Sequence, residues 1–219
     1  MDPRCVKCGR RIEKLYVQYS PGNIRLLKCG NCKSVADEYI ECELLILVID
    51  LVLHKPQAYR HLLFNVLHHN NSDFDTLLFK ASFFYLFLDA YKLWILNETS
   101  KELSVLRLGL KTLGCSLIGN LVFFCVLFVF SRRIFTFIEG FSGYKDVLLT
   151  VVVSSYLKIY TLSMLVWEFP ASMVYIIDLF VMSSNLVALR VISESSFTKC
   201  VGLCLGAHAM KFFVNWMLK

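Results

Sequence analysis

The sequence predicts a mainly α-helical fold, in which a small N-terminal β-hairpin module precedes a polytopic helical membrane region. The first observation is composition, since 57% of the 219 residues are hydrophobic and 18% are charged, whereas a soluble domain is about 45–50% apolar and about one quarter charged. The second is distribution, because apolar residues are dense after residue 74 and sparse before residue 43. The third is the clustering of four of the nine cysteines near the N-terminus. These features argue against a disordered chain and against an ordinary soluble enzyme.

The net charge of +6 does not by itself indicate a nucleic-acid-binding protein. Such proteins concentrate lysine and arginine in a stripe or patch, and the sequence contains no basic stripe of that kind. A modestly basic membrane protein is the better interpretation, so we expect no nucleic-acid partner.

Residues 1–43 are polar and predict a small module of their own. Within them, residues 15–19 and 24–27 have the composition of short strands. The Ser-Pro-Gly-Asn sequence at 20–23 favours a turn, because proline fixes φ and glycine or asparagine accepts a positive φ. This segment therefore predicts a β-hairpin.

Two CxxC pairs flank the hairpin, with twenty residues between Cys8 and Cys29. Each pair forms a tight knuckle, and two knuckles bring four thiolates to the corners of a tetrahedron, the geometry of Zn²⁺ with Zn–S bonds of about 2.3 Å. We therefore expect a structural zinc site with four ligands, Cys5, Cys8, Cys29 and Cys32. Two disulfides are the alternative if the module lies in an oxidising lumen. Because four thiolates leave no open coordination position, the ion is expected to fold the module rather than to activate water.

Residues 44–73 predict helical structure near the membrane surface. The apolar run 44–53 would be about 15 Å long as a helix, which is half the hydrocarbon thickness and too short to span it. Residues 57–69 place apolar side chains on one face and basic or polar side chains on the other. This pattern is typical of an interfacial helix, with lipid contacts through Tyr59, Arg60 and His61. A cap buried against the zinc module explains the pattern equally well.

Residues 74–219 predict about five membrane-spanning helices. The clearest covers 112–130, since its 19 residues include no charge. Buried helices of a soluble protein are the alternative, but several runs of this length would need far more polar chain to cover them. The other candidates are 74–96, 147–167, 171–189 and 200–218.

Ionisable side chains within these spans need a partner or a role, because each costs at least about 2.5–3.5 kcal/mol on insertion scales. Asp89 precedes Lys92 by three residues and can pair with it on one helix face. Lys158 and Asp178 lie near the middle of adjacent spans and can pair across them. These residues could form a polar track for a lipid headgroup, or they could serve only as ion pairs.

A small-xxx-small pattern occurs in the last span, where Gly202 and Gly206 lie one helical turn apart. Such a pattern lets a second helix approach closely. Within one chain it favours internal packing, and an oligomer formed through the two glycines is the alternative.

The orientation in the membrane is predicted from the N-terminus and from the tryptophans. The first residues lack an apolar core of signal-peptide length, which favours a cytosolic N-terminal module. With alternating topology, Trp94, Trp167 and Trp216 fall at one membrane–water interface, where an indole is half apolar and half wet. We therefore expect a multi-pass membrane protein with a cytosolic N-terminus.

The cysteine knuckles and two later stretches resemble the homology domain of the Arv family. These stretches are Asp-Glu-Tyr-Ile-Glu at 37–41 and Lys-Pro-Gln-Ala-Tyr-Arg-His-Leu-Leu-Phe-Asn at 55–65. The resemblance covers about the first 65 residues, and it departs at Cys42, where the family usually has an aromatic residue. It implies an endoplasmic-reticulum membrane protein that acts in sterol distribution and sphingolipid homeostasis. It also implies a role in early glycosylphosphatidylinositol-anchor assembly, as a presenter, flippase or scaffold.

The sequence contains no recognisable catalytic constellation, so we expect a non-enzymatic protein that binds or transfers sterol or other membrane lipids. A membrane-bound lipid transferase using His61 or Asp89 is the enzymatic alternative, because a histidine or a carboxylate can act as a general acid or base. In a third hypothesis the protein is an adaptor, whose zinc module binds lipid-synthesis enzymes while the helices only anchor it.

Overall fold

The computed structural model describes residues 3–67, 74–97, 105–134, 144–193 and 195–218. The chain forms two compact units, Met1–Thr76 and Leu77–Lys219. The two units are therefore described separately.

The first unit contains the predicted β-hairpin. Its strands, β1 (Tyr16–Ser20) and β2 (Asn23–Leu26), pair antiparallel. The turn between them consists of Pro21 and Gly22, and Gly22 has a φ of +83°, which glycine adopts without the steric penalty of a Cβ atom. The hairpin is thus confirmed, with each strand within one residue of its expected bounds.

The apolar run after the hairpin module forms helix α1 (Leu44–Val52). The helix ends in a Schellman motif, because the Lys55 N–H donates to the Asp50 carbonyl and the His54 N–H donates to the Leu51 carbonyl. His54 has a φ of +57°, the left-handed conformation that this motif requires. The Lys55 ammonium also pairs with the Asp50 carboxylate at 2.7 Å, which adds an ion pair across the same turn.

Helix α2 (Pro56–Arg60) begins at a proline, which suits the first helical position because no intrahelical N–H bond is needed there. The chain continues as a wider π-type turn over His61–Val66. Tyr59 is only 1% exposed and His61 only 7% exposed. Of the two predicted arrangements, the structure therefore has the cap, residues 56–66, buried against the cysteine-bearing hairpin module of residues 3–43, which we call the ribbon. Residues 68–73 of the predicted segment lie outside the described part of the chain.

The second unit is helical. Its helices are α3 (Phe74–Asn97), which begins at the boundary, α4 (Val105–Ile134), α5 (Tyr144–Ser154), α6 (Met173–Ile192) and α7 (Phe197–Met217). Helix α5 continues directly as a 3₁₀ helix over Ser155–Leu165. Eleven residues of 3₁₀ helix are unusual, since such runs rarely exceed about four residues.

Four of the described helical segments are long and apolar enough to cross a membrane, namely Leu106–Arg133, Tyr144–Leu165, Met173–Ile192 and Phe197–Met217. The expected number was about five, and the helix that does not qualify is α3. It has 24 residues, but its charged side chains lower its hydropathy. These are Asp75, Lys80, Asp89 and Lys92. By length and composition, the count of spans is therefore corrected to four among the described residues.

Helices α4 and α7 share the most extensive helix–helix contact of the second unit. Gly119 of α4 permits their close approach, because a Cβ atom there would collide with the side-chain oxygen of Asn215 on α7. By contrast, a Cβ atom at Gly202 or Gly206 would meet no atom of the described residues within 4 Å, and both glycines are exposed. The internal packing expected for this glycine pair is therefore wrong, and the pair lies on an open face of α7.

Candidate metal centre and buried charge cluster

The four predicted metal ligands come together in the first unit, with all their Sγ atoms within 4.8 Å of one another. The Sγ atoms of Cys5 and Cys32 are 3.7 Å apart, and those of Cys8 and Cys29 are 3.6 Å apart. A disulfide has an S–S distance of about 2.05 Å, so these cysteines are free thiols. Four sulfurs bound to a tetrahedral ion at about 2.3 Å would be about 3.8 Å apart. The cluster therefore has the size of a tetrahedral tetrathiolate site.

The two knuckles share one backbone geometry. In the first, the Gly9 N–H donates to the Cys5 carbonyl, and in the second the Lys33 N–H donates to the Cys29 carbonyl, both at 2.9 Å. Both donor residues have a left-handed backbone, with a φ of +77° at Gly9 and +60° at Lys33. The second knuckle thus forms with a lysine in a conformation that glycine favours.

The thiols of the cluster differ in acidity. Burial raises the pKa of Cys5 to about 12. Burial also opposes ionisation of Cys8, but hydrogen bonds, including one from the Arg10 backbone, outweigh it and lower the pKa of Cys8 to about 6. The Ser34 backbone N–H lowers the pKa of Cys32. Two ligands therefore ionise readily, whereas a bound cation is needed to displace the proton of Cys5.

A buried aspartate, Asp37, joins the cap to the ribbon. One of its carboxylate oxygens accepts a hydrogen bond from the Tyr39 N–H at 3.1 Å. The other lies 2.7 Å from Nδ1 of His61 and accepts a hydrogen bond from Nδ2 of Asn65 at 2.6 Å. The carboxylate has no exposed surface, so these three partners replace the water that it loses on folding.

Arg60 and Asn65 hold the first knuckle by its backbone. One guanidinium nitrogen of Arg60 donates to the carbonyls of Val6 and Lys7 at 2.9 and 3.0 Å. The Asn65 side chain accepts from the Arg4 N–H at 2.8 Å and donates to the Arg4 carbonyl at 3.0 Å. These bonds join residues that are 53 to 61 positions apart. The cap therefore fixes the loop that carries the first two metal ligands.

The three residues predicted to contact lipid in this segment all lie in the cap. Tyr59 is buried and donates its hydroxyl hydrogen to the Leu51 carbonyl at 3.2 Å. His61 is buried against Asp37, and Arg60 is half-buried against the first knuckle. Each of the three side chains thus has a hydrogen-bonding atom engaged within the first unit, by a backbone carbonyl or by the Asp37 carboxylate.

A second polar site is buried in the helical unit around Asp89 of α3, which is 2% exposed. One of its oxygens accepts from Nζ of Lys158 at 2.6 Å, and the other accepts from Nζ of Lys211 on α7. Lys211 also donates to Oδ1 of Asn120 on α4 at 2.7 Å. Nζ of Lys158 lies 3.4 Å from the centre of the Tyr85 ring, a cation–π contact. The Asp89 carboxylate therefore joins α3 to α7 and to the 3₁₀ helix, and Lys211 extends the network to α4.

The ion pairs of the helical unit differ from the predicted ones. Asp89 pairs with Lys158 and Lys211 instead of Lys92, and Asp178 pairs with Lys92 at 2.9 Å instead of with Lys158. Sequence analysis recognised the two aspartates and Lys158 but assigned no role to two further members, Lys211 and Asn120. Both are polar residues within apolar spans, and that signal could have identified them.

The change from α-helix to 3₁₀ helix occurs where α6 side chains bond to the neighbouring backbone and hydroxyls. The Ser184 hydroxyl donates to the Ser154 carbonyl at 2.5 Å. The hydroxyls of Ser154 and Ser155 lie 2.6 and 3.1 Å from Oδ1 of Asn185 and donate to it. These bonds satisfy polar groups at the point where the helical hydrogen-bond pattern changes. Lys158 follows one turn later, so the transition positions the lysine that meets the cluster.

A cavity of about 520 Å³ lies beside the charge cluster. It is located where α3 and α7 end and where α4 and α6 begin. Its polar wall includes Lys92, Lys158, Lys211 and Asp178, and most of the remaining lining is apolar. The volume lies in the range of about 300–1,000 Å³ that is usual for small-molecule sites. A ligand with one polar and one apolar part matches this lining.

The sequence is similar to those of known proteins of one family. A sequence profile of the Arv1-like family matches residues 4–189. The chain is similar to two Arabidopsis thaliana proteins, to Protein ARV 1 with 43% identity over 98% of the chain and 88% of that protein, and to Protein ARV 2 with 44% identity over 96% and 92%. It is also 26% identical to Homo sapiens Protein ARV1, over 86% of the chain and 71% of that protein. No solved structure matches the chain.

Proposed function

Because the chain belongs to the Arv1-like family, we propose that it binds and redistributes lipids in the endoplasmic-reticulum membrane without changing them chemically. The proposed role is in intracellular sterol distribution and sphingolipid homeostasis. The observation that carries the proposal is the cavity of the helical unit, which combines apolar walls with a polar cluster. This combination corresponds to the two chemical parts of a membrane lipid.

The polar cluster around Asp89 forms an ordered part of the cavity wall, through Lys158 and Lys211. Both oxygens of Asp89 accept hydrogen bonds, and Lys211 donates to two acceptors. A buried network whose members are satisfied is rigid, so it can orient the polar end of a ligand. The side chains of Lys92 and Asp178 are 14% and 34% exposed, which makes this pair more accessible than the cluster around Asp89.

We infer that the cysteine cluster binds Zn²⁺, since four thiolates in a tetrahedral arrangement are the usual donor set for structural zinc. Iron also accepts four thiolates, and metal analysis of purified protein distinguishes the two ions. With four protein sulfurs as ligands, the ion would stabilise the ribbon and the cap rather than activate water.

Helix α1 is the part of the first unit that we propose to enter the membrane surface. Its nine residues would extend about 14 Å, which is too short to cross the hydrocarbon layer. An exposed apolar helix is stabilised at the boundary between headgroups and acyl chains, and the metal-binding ribbon would then lie at the cytosolic surface. Five apolar side chains of α1 are 41–74% exposed, namely Leu44, Leu45, Ile46, Val48 and Ile49.

The surroundings of His61 and Asp89 support a non-enzymatic role. A general acid or base must reach the reacting group. Nδ1 of His61 lies 2.7 Å from a carboxylate oxygen of Asp37, in a residue that is 7% exposed. Both oxygens of Asp89 are engaged by lysines. These contacts favour structural roles for the two residues over catalytic ones.

A scaffold is a second candidate function, and the open glycine face of α7 favours it. Gly202 and Gly206 have no neighbour where a Cβ atom would lie, so a helix of a second protein could approach the α7 backbone closely. Lipid-synthesis enzymes, including those of glycosylphosphatidylinositol-anchor assembly, or a second copy of this chain would be the partners.

Sterol movement between vesicles tests the leading proposal. We expect the purified protein, reconstituted in donor vesicles, to accelerate transfer of a fluorescent sterol to acceptor vesicles, with no new species in the extracted lipids. Ala209→Phe should slow transfer several-fold because Ala209 lines the cavity. The matched control is Met210→Phe, since Met210 is exposed and does not line the cavity. Equal rates for the two variants, or no acceleration by the wild-type protein, would contradict the proposal.

A further inference from the structure

The charged groups of the cavity do not balance. Three lysines, at positions 92, 158 and 211, face two aspartates, at positions 89 and 178. Within the part of the chain that the structure describes, the polar wall therefore carries an excess of positive charge. In surroundings of low dielectric constant such an excess attracts an anion strongly.

Among the three lysines that pair with Asp89 or Asp178, accessibility identifies the one that can meet a ligand. Lys158 and Lys211 are 6% and 7% exposed, and both are held by Asp89. Lys92 is 14% exposed, and its partner Asp178 is 34% exposed. The Lys92–Asp178 pair is therefore the polar contact that a ligand can rearrange without opening the buried cluster.

We propose that the cavity binds an anionic, phosphate-bearing lipid. The phosphate contacts Lys92, and the acyl chains follow the apolar wall near Phe212 and Trp216. This inference rests on the proposed lipid-binding function and names the chemical class of its ligand. Such a lipid carries a charge that a sterol lacks, so binding of this class, unlike sterol binding, depends on Lys92.

Quenching of Trp216 by brominated lipids tests the proposal in the full-length protein. The chain has three tryptophans, and neither Trp94 nor Trp167 lines the cavity. A Trp94→Phe, Trp167→Phe background therefore leaves a single reporter at the site. In detergent micelles we expect brominated phosphatidic acid to quench Trp216 at a concentration about fivefold lower than that required for brominated phosphatidylcholine. A factor of about five is what one additional charge interaction would give. Phosphatidylcholine serves as the control for non-selective contact.

Three variants change the charge of the polar wall in known steps. Lys92→Gln removes one positive charge and should abolish the preference for phosphatidic acid. Asp178→Asn removes one negative charge and should increase it. The double variant Lys92→Gln, Asp178→Asn removes one charge of each sign and should return the preference toward the wild-type value. Gel filtration and thermal unfolding of each variant check that the protein remains folded.

The outcomes separate this inference from the proposed function. Equal quenching by phosphatidic acid and phosphatidylcholine, together with stronger quenching by dibrominated cholesterol, would overturn the anionic-ligand inference and leave a lipid-binding cavity. Equal quenching by all three lipids would overturn both. Glycerol phosphate carries the same phosphate but lacks acyl chains. If it displaces brominated phosphatidic acid as effectively as unbrominated phosphatidic acid does, the lipid assignment is overturned. Loss of preference in the double variant would overturn the charge argument.

Discussion

Lys33 occupies in the second cysteine knuckle the backbone position that Gly9 occupies in the first. Their φ angles are +60° and +77°, and each N–H donates to the carbonyl of the first cysteine of its knuckle. An L-residue in this conformation places its Cβ atom too close to the following carbonyl, at a cost of about 1–2 kcal/mol. The second knuckle therefore contains backbone strain that the first avoids.

We predict that Lys33→Gly stabilises the metal-binding unit by about 0.5–1 kcal/mol, because glycine removes this strain but gains conformational freedom in the unfolded chain. Lys33→Ala is the matched control, since it removes the same exposed side chain and keeps the Cβ atom. The measurement is the rate of metal transfer to a chromogenic chelator. Slower transfer in Lys33→Gly alone supports the prediction, and identical rates in the two variants contradict it.

Acidification should release the metal. A group whose folded-state pKa is lowered contributes stability above its unfolded pKa, and this contribution is lost as pH falls through the folded value. The pKa of Cys8 falls from 9.0 to about 6, whereas burial raises that of Cys5 to about 12, so its thiolate depends on the metal. We expect about one zinc per chain after dialysis near pH 7.5 and less than half as much near pH 5.

Elemental analysis of the dialysed protein measures this release. Cys5→Ser should abolish zinc binding at either pH, because serine does not replace a thiolate ligand. Cys42→Ser is the control, since Cys42 lies outside the cluster of four. Zinc that stays bound in Cys5→Ser would contradict the assignment of the ligands.

Removal of the Asp37 carboxylate should loosen the cap and the metal site together. Asp37→Ala leaves the buried donors of His61 and Asn65 without their acceptor, so we expect the free energy of unfolding of this unit to fall by about 3 kcal/mol. Chelator-driven metal release should accelerate accordingly. Glu38→Ala is the control, because Glu38 is adjacent and exposed. If both variants retain metal equally well, the cap does not support the metal site.

The cluster of four cysteines could be predicted from the sequence because its geometry is local. Each knuckle is formed by consecutive residues, and the hairpin between them is specified by the Pro21–Gly22 turn. The contacts of the cap could not be predicted uniquely. A face that contains Arg60 and His61 suits anionic headgroups as well as backbone carbonyls and Asp37, and the alternation of polar and apolar residues is the same in both arrangements.

The partners of the buried charges depend on the rotation and depth of separate helices. Asp89 and Lys92 are close in sequence, yet each pairs with a distant residue. The two partners of Asp89 lie 69 and 122 positions away from it, and the partner of Lys92 lies 86 positions away. Packing of α4 on α7, with Gly119 against Asn215, fixes which side of α7 meets the cluster. The polar residues are thus visible in the sequence, whereas their pairing is a property of the packed unit.

Neutralising Asp89 should unfold the helical unit, because it leaves Lys158 and Lys211 buried without a counter-charge. Loss of one partner of a buried ion pair typically costs about 3–5 kcal/mol. The double variant Asp89→Asn, Lys158→Met should be less destabilised than Asp89→Asn, since it removes one unpaired charge. Thermal unfolding in detergent measures the difference, and Lys80→Gln on the exposed side of α3 is the control. Equal melting temperatures for Asp89→Asn and Lys80→Gln would contradict the role of the cluster.

The glycines of α4 and α7 should respond oppositely to the same substitution. Gly119→Ala introduces a methyl group against the Asn215 side chain, and we expect a loss of about 1 kcal/mol, because the Asn215 side chain must move out of its place between α4 and α7. Gly202→Ala and Gly206→Ala introduce the same methyl group into open space, so they should not destabilise the monomer and should slightly favour the helix. Thermal unfolding in detergent separates the two classes, and cross-linking in membranes shows whether the open face binds a second helix.

Reduced cross-linking in the double variant Gly202→Leu, Gly206→Leu, at unchanged monomer stability, would identify that face as an interface. Destabilisation of the monomer by Gly202→Ala or Gly206→Ala would mean that the face packs within the chain.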